Sequence, residues 1–167
     1  MNIVTQLERH RKKITEQWIK RVIESYPADS SKFLSVGNNR FANPIGHILK
    51  ENIPIVFDEI LKGESSDELN EALEAVIRLR AVQEFSASQA VGFLYQLKTL
   101  IREEFKSIAG KDANIEELLD FESSIDAAML LAFDIFMEMK SKIYEIKSNE
   151  QRKTFSKMID RLNKKYE

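Results

Sequence analysis

The sequence predicts an all-α protein, a single-domain bundle of five or six helices with a long C-terminal helix. Only five glycines and three prolines occur among 167 residues, which leaves few loops and favours long helices over many short strands. Apolar residues, 43% of the total, recur at intervals of three and four along most of the chain, as in amphipathic helices. A charged share of 31% suits a globular chain, so we expect residues 1–167 to form one domain.

Several classes of protein are disfavoured by composition. The chain has no cysteine, which excludes disulfides, a thiolate nucleophile and a cysteine-based zinc site. The N-terminal residues lack the apolar core of a signal peptide, and the richest apolar run, at 127–137, is interrupted by Asp134. We therefore expect a cytoplasmic protein without membrane insertion. Residues 140–167 carry a net charge of +5, but their signs are mixed, so nucleic-acid binding is not expected.

The first half of the chain predicts two helices. The first covers about 3–25, carries an apolar stripe at helical spacing and ends before Tyr26-Pro27, because a residue preceding proline avoids the α region. An irregular stretch through Asn39 follows. Asn43-Pro44 is a typical helix start, so a second helix is predicted to reach Lys62 and end at Gly63, with a kink or break at the internal proline.

Three further helices are predicted by capping patterns. A third begins at Ser65, a fourth runs from Ser86 to Gly110, and a fifth opens at Asn114. The fifth is apolar almost all round between 127 and 139 and carries a heptad seam. The seam comprises Ile125, Met129, Ala132, Phe136, Met139, Ile143 and Ile146, and a second stripe comprises Phe155, Met158, Ile159, Leu162 and Tyr166. Either this helix continues to the C-terminus or a sixth begins near residue 149, and segment 140–167 is predicted to serve signalling or dimerisation.

The segment between the third and fourth helices contains two arginines that cannot share one helix face. Arg78 is expected to pair with Glu74, and Arg80 either with Glu84 or with a backbone carbonyl at a buried corner. In the alternative interpretation, the free amides of the fourth helix and Arg80 bind an anion. The candidate ligand-binding residues are Arg78, Arg80, Gln83, Ser86, Ser88 and Gln89.

Three segments resemble a known family. IRLRAVQEFSASQAVGFLYQLKTLIREEF resembles the signature of the RsbRD-type N-terminal domain of RsbT co-antagonist proteins, and YPADSSKFL and NRFANPIGHIL resemble its other two landmarks. Ala87 departs from the pattern, which has proline there. The structural landmarks are Tyr26, Pro27, Arg40, Phe41, Asn43, Pro44 and Gly46.

The resemblance implies a bacterial sensory or regulatory domain in the stress response, loosely related to non-haem globin-like sensor domains. Many family members carry a STAS or kinase output domain after this region, whereas this chain stops at Glu167. We expect such a domain to relay a signal through protein partners, as a homodimer. The alternative is a small-molecule or anion sensor with a pocket between the fourth and fifth helices.

Catalytic and cofactor chemistry finds little support in the sequence. The two histidines, His10 and His47, both lie early in the chain, where neither supplies the proximal ligand of a haem globin. Asp126 and Asp134 share a helix face, but the Glu-x-x-His pairs of a helical di-metal site are missing. No nucleotide-binding or metalloprotease motif occurs. We therefore expect a non-enzymatic protein without a metal or cofactor.

Overall fold

The computed structural model describes residues 2–35, 41–108 and 114–166, and all of their regular structure is helical. This confirms the all-α fold class and the long C-terminal helix. Seven helices are found in these ranges, more than the five or six predicted. They are α1 (Ile3–Arg9), α2 (Arg11–Glu24), α3 (Ala28–Ser35), α4 (Pro44–Lys62), α5 (Asp67–Val82), α6 (Ala87–Ile108) and α7 (Ile115–Tyr166).

The two additional helices come from the first 35 residues. The predicted first helix is divided at His10, which ends α1 and precedes α2. The segment predicted to be irregular contains α3, so that prediction was wrong for residues 28–35, while residues 36–39 lie outside the described ranges. Leu34 is buried. A helix of eight residues is too short for a clear helical repeat of apolar positions, so the sequence does not reveal it.

The capping residues explain where α4 and α5 begin and end. Asn43 accepts a hydrogen bond from the amide of Gly46 at 2.9 Å, and α4 ends at Gly63 in the left-handed conformation. Pro54 lies within one continuous helix, so the predicted break does not occur. The N-cap of α5 is Ser66, whose hydroxyl accepts from the Leu69 amide at 3.0 Å, rather than the predicted Ser65.

The C-terminal helix α7 is unbroken over 52 residues, which resolves the alternative left open by the sequence. Its heptad seam packs on the chain's own bundle, with Ile125, Ala132 and Phe136 buried. The middle of α7, which is apolar almost all round between 127 and 139, contributes Ala128, Ala132, Ile135 and Phe136 to the core, whereas Leu130 and Phe133 are exposed. From residue 144 to 165 every side chain is exposed, so this segment extends for about 30 Å past the bundle.

The core is centred where α2 and α6 cross. Trp18 is fully buried, stacks on Phe93 with ring centres 5.8 Å apart, and donates its indole N–H to the Phe93 carbonyl at 2.7 Å. The pair belongs to a buried cluster to which all seven helices contribute apolar side chains, among them Leu7, Leu34, Leu49, Ile53, Phe57, Leu73, Ile77, Leu94, Leu97 and Ile125. Within the described ranges, no helix combines the length and apolarity that crossing a bilayer requires.

Candidate functional site

The candidate site is built around Arg80, in the last turn of α5. Its side chain is only 1% exposed. One terminal nitrogen, Nη1, donates to the carbonyl of Gln89 in α6 at 2.8 Å, and Nη2 donates to the hydroxyl of Ser25 at the end of α2 at 3.1 Å. The acceptor is therefore a backbone carbonyl, one of the two alternatives that the sequence left open, and Arg80 joins three helices.

Three aromatic rings enclose the Arg80 guanidinium. Its central carbon lies 5.3 Å from the ring centre of Tyr26, 5.1 Å from that of Phe85 and 5.5 Å from that of Phe93. Tyr26 and Phe85 also contact each other edge to face, with ring centres 5.4 Å apart. Cation–π attraction of this kind strengthens when the cation is shielded from water, so the rings stabilise a charge that is otherwise costly to bury.

The buried charge of Arg80 has no carboxylate counter-ion. Among the described residues, no Asp or Glu forms an ion pair with it, and its Nε has no hydrogen-bond acceptor. The hydroxyl of Tyr26 is likewise buried and without a partner there. Burial lowers the pKa of Arg80 and raises the pKa of Tyr26, while each residue partly offsets the shift of the other. Tyr26 is therefore a neutral O–H group beside a cation.

The other candidate ligand-binding residues lie nearer the surface. Arg78 pairs with Glu74 at 2.6 Å, as predicted, and points away from Arg80. Ser86 and Gln89 form the predicted reciprocal cap, since each side chain accepts a hydrogen bond from the other residue's amide. The Ser88 hydroxyl lies 3.2 Å from that of Ser86. Two amides that the anion-site interpretation requires are thus already bonded within the protein.

The family landmarks meet beside the Arg80 cluster. Asn43 donates from its side-chain amide to the Leu34 carbonyl at 2.8 Å while it caps α4. A Cβ atom at Gly46 would come within 2.4 Å of the Asn43 side chain, so this cap requires glycine. Phe41 is 94% exposed, and Arg40 lies outside the described residues. Next to the cap, a cleft of about 370 Å³ is lined by Tyr26, Asp29, Ser30, Leu34, Asn43, Pro44, Ile45 and Gln83.

Sequence reasoning did not find two buried carboxylates on the opposite side of the bundle. Glu104 of α6 lies 2.8 Å from the ammonium of Lys13 and 3.0 Å from Nδ1 of His10. Glu122 of α7 forms a two-pronged ion pair with Arg102, and Arg102 holds the pKa of Glu122 below its usual value. These partners are up to 94 residues apart in sequence, the separation of His10 and Glu104, so no local pattern reveals them.

The remaining acidic residues of α7 do not form a metal site. Asp126 accepts two hydrogen bonds from Lys98. In the part of the chain that the structure describes, no group of three His, Asp or Glu side chains is arranged to hold a metal ion. The alternative prediction of a pocket between the fourth and fifth predicted helices, now α6 and α7, would require the side chains of α7 to line a cavity. Phe136 belongs to the core, whereas Phe133 and Met137 are exposed, so these three side chains do not line one cavity together.

The chain is thus an all-helical bundle with a long terminal helix and a buried arginine at the corner between α5 and α6. The family model described as the RsbT co-antagonist protein rsbRD N-terminal domain matches residues 12–151, and the chain belongs to this family. That match contains all three landmark segments and the whole Arg80 cluster. No curated protein and no solved structure matches the chain. Family membership indicates a regulatory domain of stress signalling.

Proposed function

We propose that this domain relays a signal in the cytoplasm through protein–protein contacts, without catalysis, and that it does so as a homodimer paired through α7. The observation that carries the proposal is an apolar stripe left uncovered along that helix. The stripe, here called the outer stripe of α7, consists of Leu130, Met137, Tyr144, Phe155, Met158 and Leu162, each at least half exposed.

The outer stripe keeps to one face of the helix. Its members Met137, Tyr144, Phe155 and Leu162 are separated by seven, eleven and seven residues, which are close to two, three and two full turns. The buried residues Ala132 and Phe136 lie on a different face, which packs on the bundle. Helix α7 therefore contacts its own bundle on one face and presents the outer stripe, with its heptad spacing, on another.

A second copy of the chain is the partner that suits the outer stripe of α7. Heptad spacing is the pattern with which helices pair along their length, and identical chains supply identical patterns. The polar residues Ser148 and Gln151 interrupt the outer stripe between Tyr144 and Phe155. Polar residues at such positions fix the register of two paired helices at some cost in the stability of the pair. Exposed apolar surface on this scale is also uncommon on a monomeric protein.

The same helix offers a route for the signal. Its inner face contacts α4, α5 and α6, so a rearrangement of the bundle changes how α7 is seated. Packed helices move between discrete arrangements by shifts of one or two ångströms, and such shifts at an interface are an established means of switching. We infer that a change in the bundle alters the pairing geometry of the distal segment.

Sedimentation equilibrium at micromolar concentration tests the pairing. The purified chain is expected to form a dimer, and the double variant Phe155→Glu/Leu162→Glu is expected to be monomeric. Lys157→Glu/Lys164→Glu is the matched control, because these residues have the same seven-residue spacing about half a turn round the helix. A monomeric parent chain, or dimers in the Phe155/Leu162 variant, would contradict the proposal.

A second candidate function is sensing of a small molecule or anion. The observation in its favour is the buried Arg80 cation without a carboxylate, beside the cleft at the family landmarks. Self-association and ligand binding are separable properties, because the outer stripe and this cleft have no residue in common.

A further inference from the structure

The cleft beside Arg80 lies among the end of α2, helix α3, the start of α4 and the end of α5. Its walls are mixed in character. Leu34, Pro44 and Ile45 contribute apolar surface, and Tyr26 and Gln83 contribute polar groups. A volume of about 370 Å³ is within the range of small-molecule sites, which combine apolar walls with a few polar groups that orient the ligand. Gln83 is also among the ligand-binding residues predicted from the sequence.

Tyr26 connects the cleft to the buried site. It lines the cleft while its side chain is only 5% exposed, and its hydroxyl has no hydrogen-bond partner within the described part of the protein. Buried hydroxyls are nearly always paired, because leaving one unpaired is destabilising. A ligand atom that accepts a hydrogen bond from this hydroxyl would remove that cost.

Arg80 determines which acceptor the site favours. Its guanidinium lies 5.3 Å from the centre of the Tyr26 ring and carries a buried positive charge for which the described residues supply no carboxylate counter-ion. In a poorly solvated setting, such a charge attracts an anion more strongly than it would in water. The Nε–H of Arg80 has no acceptor within the described part of the protein.

Asp29 limits the charge of the ligand. This carboxylate lines the same cleft from the first turn of α3 and is exposed to solvent. It would repel a ligand with two or more negative charges more strongly than a ligand with a single carboxylate. The apolar wall formed by Leu34, Pro44 and Ile45 suits a short hydrocarbon body.

We propose that this cleft binds a small monocarboxylic acid, with the carboxylate accepting a hydrogen bond from the Tyr26 hydroxyl and the charge of Arg80 balancing it. The hydrocarbon part of the acid lies against Leu34, Pro44 and Ile45. Binding at this position joins α2, α3, α4 and α5 through one ligand and so gives the relay an input. The proposal does not depend on pairing through α7, and either can fail alone.

Calorimetric titration with butyrate and benzoate, and with butyramide and benzamide as neutral counterparts, tests the proposal. We expect at least one acid to bind at millimolar concentration and its amide to bind at least tenfold more weakly. The variant Tyr26→Phe keeps the ring and removes the unpaired hydroxyl, so the unliganded protein is expected to be at least as stable as the parent. Its affinity for the acid is expected to fall at least tenfold.

Tyr95→Phe is the matched control, because Tyr95 is exposed and distant in sequence from the cleft-lining residues. This variant is expected to bind the acid as the parent does. As a second readout, the NMR signal of the Arg80 Nε–H is expected to shift with the acid and not with the amide. Binding of neither acid, equal binding of an acid and its amide, or unchanged affinity in Tyr26→Phe would overturn the proposal.

Discussion

The Nη1 atom of Arg80 lies 2.8 Å from the carbonyl oxygen of Gln89, so α5 and α6 are joined beneath the surface by a cation. A second hydrogen bond, to Ser25, attaches the same side chain to the end of α2. The corner between α5 and α6 is therefore fixed by one arginine together with the three rings around it. Arg80 thus forms a junction between α2, α5 and α6 next to the cleft at the family landmarks.

Substitution of Arg80 tests what its charge contributes to stability. Arg80→Lys is expected to lower the free energy of unfolding by about 1.5–3 kcal/mol, because an ammonium lacks the planar fork that reaches both acceptors. Arg80→Met is expected to cost less, because it fills much of the same volume and removes an uncompensated buried charge. Urea unfolding of both variants measures the order. A lysine variant as stable as the methionine variant would show that the uncompensated buried charge costs little.

Glu84 offers a stabilising substitution. It follows α5 with φ of 62°, a conformation that favours glycine, and the next amide, of Phe85, bonds back to the Arg80 carbonyl at 3.3 Å. Glu84→Gly is expected to raise the free energy of unfolding by about 0.5–1 kcal/mol. Val82→Gly, in the last turn of the same helix and exposed, is the control and is expected to be destabilising. Thermal unfolding of the pair measures both signs, and a destabilised Glu84→Gly variant would contradict this interpretation of the corner.

Glu122 makes stability depend on acidity. Its hydrogen bonds with Arg102, and the nearby charge of Lys98, hold its pKa below the ordinary value of 4.5. A carboxyl group with a lowered pKa stabilises the fold above its unfolded-state pKa, and that contribution is lost as the pH falls through the folded-state pKa. Glu122→Gln is therefore expected to destabilise the protein at pH 7, with a difference from the parent that shrinks below about pH 4.5.

Urea unfolding between neutral and acidic pH measures this difference. Glu138→Gln is the control, because Lys142 also lowers the pKa of Glu138, but both side chains are exposed. We expect little change in the control at any pH. A Glu122→Gln deficit that stayed constant down to acidic pH would show that lost packing, rather than lost charge pairing, is responsible.

Truncation separates the bundle from the distal part of α7. A chain that ends at Lys147 is expected to keep the unfolding free energy of the monomer within about 1 kcal/mol, because residues 144–165 are exposed and contribute no buried apolar surface. Its dimer formation is expected to be lost, and its helical signal reduced in proportion to the residues removed. Circular dichroism and sedimentation equilibrium measure these properties. A large loss of monomer stability would mean that the segment packs on the bundle.

Much of this architecture was predictable because its signals are local. Asn43-Pro44 and Gly63 mark the ends of α4, and Ser86 with Gln89 marks the start of α6, since a cap depends on residues within one turn. The division at His10 and the short helix α3 were missed. Both depend on how the segments pack against the rest of the bundle, which outweighs weak local preference.

The candidate site was predictable only in part for the same reason. The sequence places Arg80 on an apolar face and allows a carbonyl partner, and Gln89 supplies it. It does not show that Tyr26 and Phe93 enclose the guanidinium, because Tyr26 lies between α2 and α3 and Phe93 lies in α6. The sequence also does not show that the Tyr26 hydroxyl lacks a hydrogen-bond partner among the described residues, because this depends on which groups the fold places around it.

Helix α7 is continuous from the bundle to the C-terminal segment. Its N-terminal part packs against the bundle, and residues 144–165 form an exposed helical segment about 30 Å long. A tilt of the packed part would therefore also tilt the exposed segment. A tilt of only about 10° in the packed part would carry the far tip through about 5 Å, roughly the height of one helical turn. A small tilt within the bundle would thereby become a larger displacement at the C-terminal end of α7.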